Sequence, residues 1–378
     1  MLREWKRRYI KIISTRLRLM GAEERIREIT EELAKTKRHK GTEHHIGLLL
    51  ARRAKLQREV LDKASKKGGG SGFDIKKQGD ATVVMVGFPS VGKSTLISRI
   101  TNAKSKIAAY EFTTLECIPG IMAYRGAQIQ VLDIPGIIAG AKEGKGKGKE
   151  VLSVARKADL LLVMLDATKR GEYEIIKREL EEVGIRMGKK PPNVDIKKEV
   201  KGGVHIITAR KLTKIGRQEI IAILNEYGIH NATVTIKQDI SGEELIDRLE
   251  RNRVYVAEVV AVNKADLTGG IPQGFPEGAI AISAEVGEGI EELRWEIYSK
   301  LGFIRVYTKT RTKGIDREEP MMLKKGDTLG EFVKKLPRDY RKNFKYALVW
   351  GSSVKFPGQR VGLEHALENE DVVYVVKK

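Results

Sequence analysis

The sequence predicts an α/β protein in which a mostly parallel sheet carries helices on both faces. A helical region precedes the sheet, an α+β segment interrupts it, and a small strand-rich domain follows. Three observations predict this. Short runs rich in Val, Ile and Leu (ATVVMVG, AQIQVLDIPG, ADLLLVMLDA, VYVAEVVAVNKAD, GAIAISAE) alternate with helix-like stretches from Ala81 to Leu301, as strands covered on both faces do. The glycine-rich GFPSVGKST follows the first run directly, where a strand would turn into a helix. Roughly eighty residues separate MLDATKR from VAEVVAVNKAD, far more than one crossover helix needs.

Taken in order, residues 1–80 read as a basic helical region with a glycine-rich connection. Apolar residues recur at helical spacing, Ile26, Ile29 and Leu33 and then Ile46, Leu50, Leu56, Val60 and Leu61, so two helices are expected. Gly41 stops the first and Thr42 can cap the second. SKKGGGSGFDIKKQGD then breaks the helical pattern. The main domain spans 81–302 and closes with the amphipathic GIEELRWEIYSKL. Within it, residues 171–250 hold two strand-like and two helix-like stretches of their own, and are read as an α+β insertion. In 303–378, strands surround one helix, which suggests a β-grasp domain.

The balance of 71 Lys+Arg against 50 Asp+Glu leaves a net charge of +21, which points to a polyanionic partner, above all nucleic acid. The single cysteine, Cys117, has no internal disulfide partner and is expected to be a buried thiol. No apolar stretch is long enough for a membrane span, and the charged N-terminus lacks a signal-peptide core. A cytoplasmic location with no membrane contact is therefore expected. His44 and His45 are adjacent rather than four apart, which does not suit a shared metal on a helix.

GFPSVGKST supplies Gly87, Phe88, Pro89, Ser90, Val91, Gly92, Lys93, Ser94 and Thr95. Successive loop amides wrap phosphates, Lys93 reaches the β- and γ-phosphates, and the Ser94 hydroxyl serves Mg²⁺. VNKAD places Asn263, Lys264 and Asp266 after a strand. A carboxylate there can accept from N1–H and the exocyclic amine of guanine, a pattern adenine lacks. Ser283, Ala284 and Glu285 end the next strand, where their backbone would approach guanine O6. Asp133 and Gly136 in DIPG would serve Mg²⁺ and the γ-phosphate. YEFTTL offers Thr114, with Thr113 second, as the metal ligand that leaves on hydrolysis. Lys93, Thr114 and Gly136 form the expected catalytic set, and Ser94, Thr114 and Asp133 the metal set. The ligands implied are GTP or GDP with Mg²⁺.

Together, GFPSVGKST, YEFTTL, the glycine-studded continuation of DIPG, NKAD and SAE resemble the Obg superfamily of GTPases, in the form of its developmentally regulated GTP-binding branch, archaeal in style. GTEHHIG, the SKKGGG connection and the insertion match as well. The resemblance covers essentially the whole chain. It implies a GTP phosphohydrolase coupled to the ribosome or RNA and to translation, with a C-terminal TGS domain as the RNA or ribosome contact. Eukaryotic members also bind small regulatory proteins. Potassium-stimulated relatives often carry Asn where this chain has Ser90, so a K⁺ requirement stays open.

After Gly136, where many switches place a water-orienting glutamine, stands Ile137. An apolar side chain cannot orient water, so slow intrinsic turnover is expected, raised by an external or mobile element; a supplied arginine alone is worth about 10³- to 10⁵-fold. Lys142, Lys145, Lys147 and Lys149 give the following segment affinity for phosphate-rich surroundings. Two basic clusters are candidate RNA contacts: Arg7 and Arg8 near the start, and Lys334, Lys335, Arg338, Arg341, Lys342 and Lys345 near the end, with Tyr340 and Phe344 interleaved. The rival readings are a nucleotide-stabilised RNA-binding scaffold and an adaptor for a regulatory protein.

Overall fold

A computed structural model describes residues 21–66, 79–101, 118–133, 154–250, 253–310 and 314–378. Arg7, Arg8, Thr113, Thr114, Cys117, Gly136, Ile137 and the lysines at 142–149 lie outside the described residues. The chain divides into two compact units, Met1–Ser71 with Glu181–Tyr255, and Gly72–Leu180 with Val256–Lys378.

The second unit holds the mostly parallel sheet. Its strands are β1 (Ala81–Gly87), β2 (Ile118–Tyr124), β3 (Ala127–Asp133), β4 (Leu160–Asp166), β5 (Val254–Asn263) and β6 (Ile280–Ala281). They run in the order β6-β5-β4-β1-β3-β2. All neighbours on this path are parallel except β2, which folds back on β3 as a hairpin. Every residue of β4 is buried, as are the first six of β1. That is why these strands read as continuous apolar runs instead of alternating ones. Met85, Leu96, Met122, Ile129, Leu160, Leu162 and Met164 form the fully buried centre. Each such side chain contributes about 1.5–3 kcal/mol by leaving water.

The C-terminal domain of the same unit is a five-stranded sheet with one helix, Leu329–Lys335, over its face and a short helix, Arg338–Lys342, after it. Its strands are β7 (Phe303–Thr310), β8 (Gly314–Lys324), β9 (Phe344–Trp350), β10 (Gln359–Val361) and β11 (Val372–Lys377), in the order β8-β7-β11-β9-β10. The parallel pairing of β7 with β11 at the centre and antiparallel pairings outside it give the expected β-grasp arrangement. This domain is joined to the base of the large sheet. Met322 belongs to the large sheet's core cluster. Lys324 Nζ lies 2.5 Å from Asp159 Oδ1, and Lys335 Nζ lies 3.3 Å from Asp80 Oδ1 while also donating to Met322 O.

The first unit is built on a three-stranded sheet. Its middle strand, Ala232–Ile236, is antiparallel to Val194–Lys198 and parallel to Val204–Thr208. Helices Arg217–Glu226 and Gly242–Leu249 cover it, and Ile46, Leu50, Ala51 and Ala54 of the helix Glu43–Lys66 enter the same core as Ile220, Ile223, Val234 and Leu245. The N-terminal helices therefore complete the insertion's core. The sequence reading kept the two apart because periodicity identifies a buried face without naming what covers it. The unit also begins at Glu181 rather than at residue 171 and ends at Tyr255 rather than 250: the helix Glu172–Glu182 buries Ile176 and Leu180, and its first nine residues belong with the large sheet. Thr42 does precede the second helix, but its hydroxyl donates backward to Lys37 O and His39 O, at 2.8 and 3.0 Å. His45 Nε2 pairs with Glu32 Oε1 at 2.9 Å. Among the described residues no group of three or more His, Cys, Asp or Glu is placed to hold a metal ion.

Candidate functional site

The site forms at the carboxyl ends of the parallel strands, where α/β sheets bind ligands. β1 ends at Gly87 and the helix Lys93–Ile100 begins after Gly92, which has φ 96°. Ser90 also has a positive φ, 62°. These two left-handed positions turn the chain tightly, so that the loop wraps in front of the helix N-terminus. Gly92 is fixed by packing too: a Cβ there would lie 2.3 Å from Asn263 Nδ2.

Lys93 Nζ donates to Gly87 O and Phe88 O, at 3.1 and 3.0 Å, holding its ammonium over the loop. Burial lowers its pKa, opposed by the negative charges of Asp133 and Glu172. Asp133, the last residue of β3, is buried, and its Oδ2 accepts from Ser94 Oγ at 3.3 Å. Burial raises the Asp133 pKa against the pull of Lys93 and the Ser94 bond. Its Oδ1 is buried and has no hydrogen-bond partner among the described residues. An orphaned carboxylate oxygen next to a serine hydroxyl is the hard-oxygen donor set that Mg²⁺ takes. The residues present fit the cation.

The base end is organised by Asn263, 3% exposed. Its Nδ2 donates to Val91 O at 2.8 Å and its Oδ1 accepts from Ala284 N at 2.9 Å. One side chain thus clasps the phosphate loop to the segment after β6. Lys264 turns the chain at φ 65°, and the one-turn helix Ala265–Leu267 then leaves Asp266 exposed. Asn263 is therefore a tether, while Asp266 is the group available to a ligand. Ser283 is buried, and its Oγ accepts from Val286 N at 3.2 Å; Glu285 is exposed, and its carbonyl accepts from Arg99. The structure brings Gly87, Lys93, Ser94 and Asp133 together at one end, and Val91, Gly92, Asn263 and Ala284 at the other.

Two carboxylates in this neighbourhood escaped the sequence reading. Asp166 ends β4 at 1% exposure, and its Oδ2 lies 2.6 Å from Lys264 Nζ. Glu172 is buried, its pKa is raised by that burial, and its Oε2 lies 3.5 Å from Asp166 N. The available signal was an Asp closing a second apolar run, VMLD, as Asp133 closes VLD.

The C-terminal basic cluster is not one uniform surface. Lys334 pairs with Glu331 at 2.5 Å, and Lys335 is engaged with Asp80, as a tie within the unit instead of a free cation. Arg338, Arg341, Lys342 and Lys345 are exposed. Phe344 packs against its domain's core, contrary to a base-stacking role. Tyr340 lies under the Lys377 ammonium at 3.8 Å and lines an open cleft of 640 Å³ together with Lys309, Phe332 and Tyr374.

Comparison with known proteins accords with this geometry. Residues 82–198 match the family described as 50S ribosome-binding GTPase, 201–303 match the C-terminal region of that domain, and 304–377 match the TGS domain. An uncharacterized GTP-binding protein of Methanocaldococcus jannaschii is 48% identical over 95% of this chain and 94% of its own length. Developmentally-regulated G-protein 3 of Arabidopsis thaliana is 45% identical, covering 94% of this chain and 98% of its own. Developmentally-regulated GTP-binding protein 1 of Xenopus laevis is 45% identical, covering 95% and 100%. The solved YchF GTPase of Schizosaccharomyces pombe aligns over 80% of this chain and 99% of its own at 16% identity and a TM-score of 0.41, a likeness too distant to add to the assignment. With a phosphate loop, a buried carboxylate beside it and a clasped NKAD turn in one site, and nearly half its residues shared with these proteins over almost its full length, the chain belongs to the developmentally regulated GTP-binding protein family of P-loop GTPases.

Proposed function

We propose that this GTPase is a Mg²⁺-dependent switch with slow intrinsic turnover, coupled to the ribosome or its RNA during translation. The observation that carries the reading is Asp133 Oδ1, buried and without a hydrogen-bond partner among the described residues, beside Ser94 and Lys93. Ser94, Asp133 and Thr114 hold Mg²⁺, which when bound neutralises charge on the phosphate oxygens. Lys93 and the backbone N–H groups of the Gly87–Thr95 loop, Pro89 excepted, hold the phosphates, and the Gly136 N–H senses the γ-phosphate. Asp266 reads the guanine from the turn it shares with Asn263 and Lys264, with the Ser283-Ala284-Glu285 backbone near O6. With Ile137 unable to orient water, acceleration comes from outside or from a mobile segment, K⁺ included.

Support for the ribosome comes from three directions: the family description, the TGS domain and the net charge of +21. Among the described residues no helix is long and apolar enough to cross a membrane, and the proposed compartment is the cytoplasm. The exposed Arg338, Arg341, Lys342 and Lys345 are the proposed phosphate contacts on the C-terminal domain, and Arg7 and Arg8 those at the N-terminus. The test is GTP hydrolysis by the full chain with and without ribosomes, in potassium and in sodium, with Lys93→Ala as control. Stimulation by ribosomes supports the reading, and stimulation by potassium alone places the compensation inside the site. Flat, slow hydrolysis in every condition, despite tight GTP binding, would overturn it in favour of an adaptor.

A further inference from the structure

Asp166 is buried at the end of β4, 1% exposed, directly beside Asn263 in the parallel register. Ala167 N donates to Asn263 O at 2.9 Å, so the two strand ends are locked together. One carboxylate oxygen, Oδ1, is used locally: it accepts from Thr168 N at 2.9 Å and from Thr168 Oγ1 at 2.7 Å. The other, Oδ2, accepts from Lys264 Nζ at 2.6 Å. Burial opposes the charge on Asp166, but the hydrogen bonds from Lys264 and Thr168 outweigh it and hold the pKa below the usual carboxylate value.

Lys264 is the residue that needs such a partner. It has φ 65° and ψ 29°, a left-handed conformation that a side-chain-bearing residue adopts only when its surroundings enforce it. The turn there separates the two jobs of NKAD. Asn263 points inward to Val91 and Ala284, and Asp266, three residues on, comes out exposed. Leu267 N donates to Lys264 O at 3.0 Å, so the direction of the one-turn helix carrying Asp266 is set at Lys264.

We infer that Asp166 is a positioning residue for guanine selection: its charge-assisted bond to Lys264 enforces the left-handed turn that aims Asp266 at the base. This rests on the reading of Asp266 as the guanine ligand. Asp166, 1% exposed, acts through Lys264. Its effect falls on the base end of the site, and is therefore shared equally by GTP and GDP.

The test is equilibrium binding of GTP, GDP and ITP by the full chain, for Asp166→Asn, Lys264→Met and the double variant. ITP lacks the exocyclic amine, so the GTP-to-ITP ratio reads the second hydrogen bond to Asp266. A charge-assisted hydrogen bond of this kind is worth about ten- to a hundredfold. Asp166→Asn should weaken GTP and GDP by the same factor, about tenfold or more, and shrink the GTP-to-ITP ratio. The loss in turnover should fall on KM and leave kcat alone. Lys264→Met should reproduce the lost discrimination, and the double variant should be no worse than the more severe single variant. If Asp166→Asn fails to fold, Lys264→Met alone decides, because its side chain is 35% exposed. Parent-like discrimination in the folded single variants, or a thermal shift without loss of discrimination, would reduce Asp166 to a fold-stabilising residue and overturn the inference. Asp266→Ala separates the two claims: if it leaves the GTP-to-ITP ratio intact, the base-reading assignment itself has failed.

Discussion

Replacing Asn263 by Ala should loosen the nucleotide site from its own scaffold, before any ligand is considered. The side chain is 3% exposed and closes two backbone groups, Val91 O at 2.8 Å and Ala284 N at 2.9 Å. Each hydrogen bond is worth about 1 kcal/mol net, and each buried group left unpaired costs about 1–3 kcal/mol instead. Water entering the space vacated by the amide recovers part of that, so we expect a loss of about 2–4 kcal/mol. The assay is urea unfolding of the nucleotide-free protein, with the midpoint compared at unchanged m. Gly92→Ala supplies an internal check, since among the described residues its Cβ would meet Asn263 Nδ2 at 2.3 Å and nothing else nearer than 3.6 Å. On an Asn263→Ala background the clash is gone and only the left-handed backbone cost at φ 96° remains, about 1–2 kcal/mol. The second substitution should therefore cost less in the double variant than alone. An Asn263→Ala loss below about 0.5 kcal/mol, or strict additivity with Gly92→Ala, would refute the clasp.

Further outcomes follow from the same geometry. Asp133 has a raised pKa in the folded protein, so its contribution is fully present below its unfolded value and is lost as pH rises through the raised one. Asp133→Asn should therefore melt higher than the parent at neutral pH without nucleotide, lose that advantage in acid, and lose Mg²⁺-dependent GTP binding; thermal melts across pH check it. Lys335→Ala should cost only about 0.5–1 kcal/mol, because its pair with Asp80 is partly exposed and salt-screened. It should also weaken RNA binding less than Arg338→Ala does, as filter binding at two salt concentrations would show. In the other unit, Asp247 accepts from Arg186 Nε and Nη2 at 2.6 and 2.7 Å and from Arg253 Nε at 3.0 Å. Asp247→Ala removes the carboxylate that both guanidinium groups share, Arg186 keeping its bond to Glu181 O, and should destabilise that unit by about 3–5 kcal/mol, read by hydrogen exchange across 181–255.

The sheet and the phosphate loop were legible because their signals are local. β4 is apolar at every position until Asp166, and Lys93 follows the first strand at the spacing the loop requires. Tertiary partnership was not legible in the same way. Ile46 and Leu50 are marked by periodicity as a buried face, yet nothing in the spacing says that they meet Ile220 and Leu245. Lys335 looked like its neighbours in a basic run, and only the fold sets it against Asp80. The NKAD spacing marks Asn263 together with Asp266, but nothing in it announces the two bonds by which Asn263 holds Val91 O and Ala284 N. Asp166 was passed over because a single carboxylate carries no pattern of its own until Lys264 is brought beside it.

Ribosome co-sedimentation with a non-hydrolysable GTP analogue, with GDP and without nucleotide tests the switch most directly. The full chain should pellet with ribosomes in the GTP-analogue state, less so with GDP, with binding that weakens as salt rises. Equal pelleting in all three states would contradict the switch and describe a scaffold, and no pelleting in any state would remove the ribosome from the account.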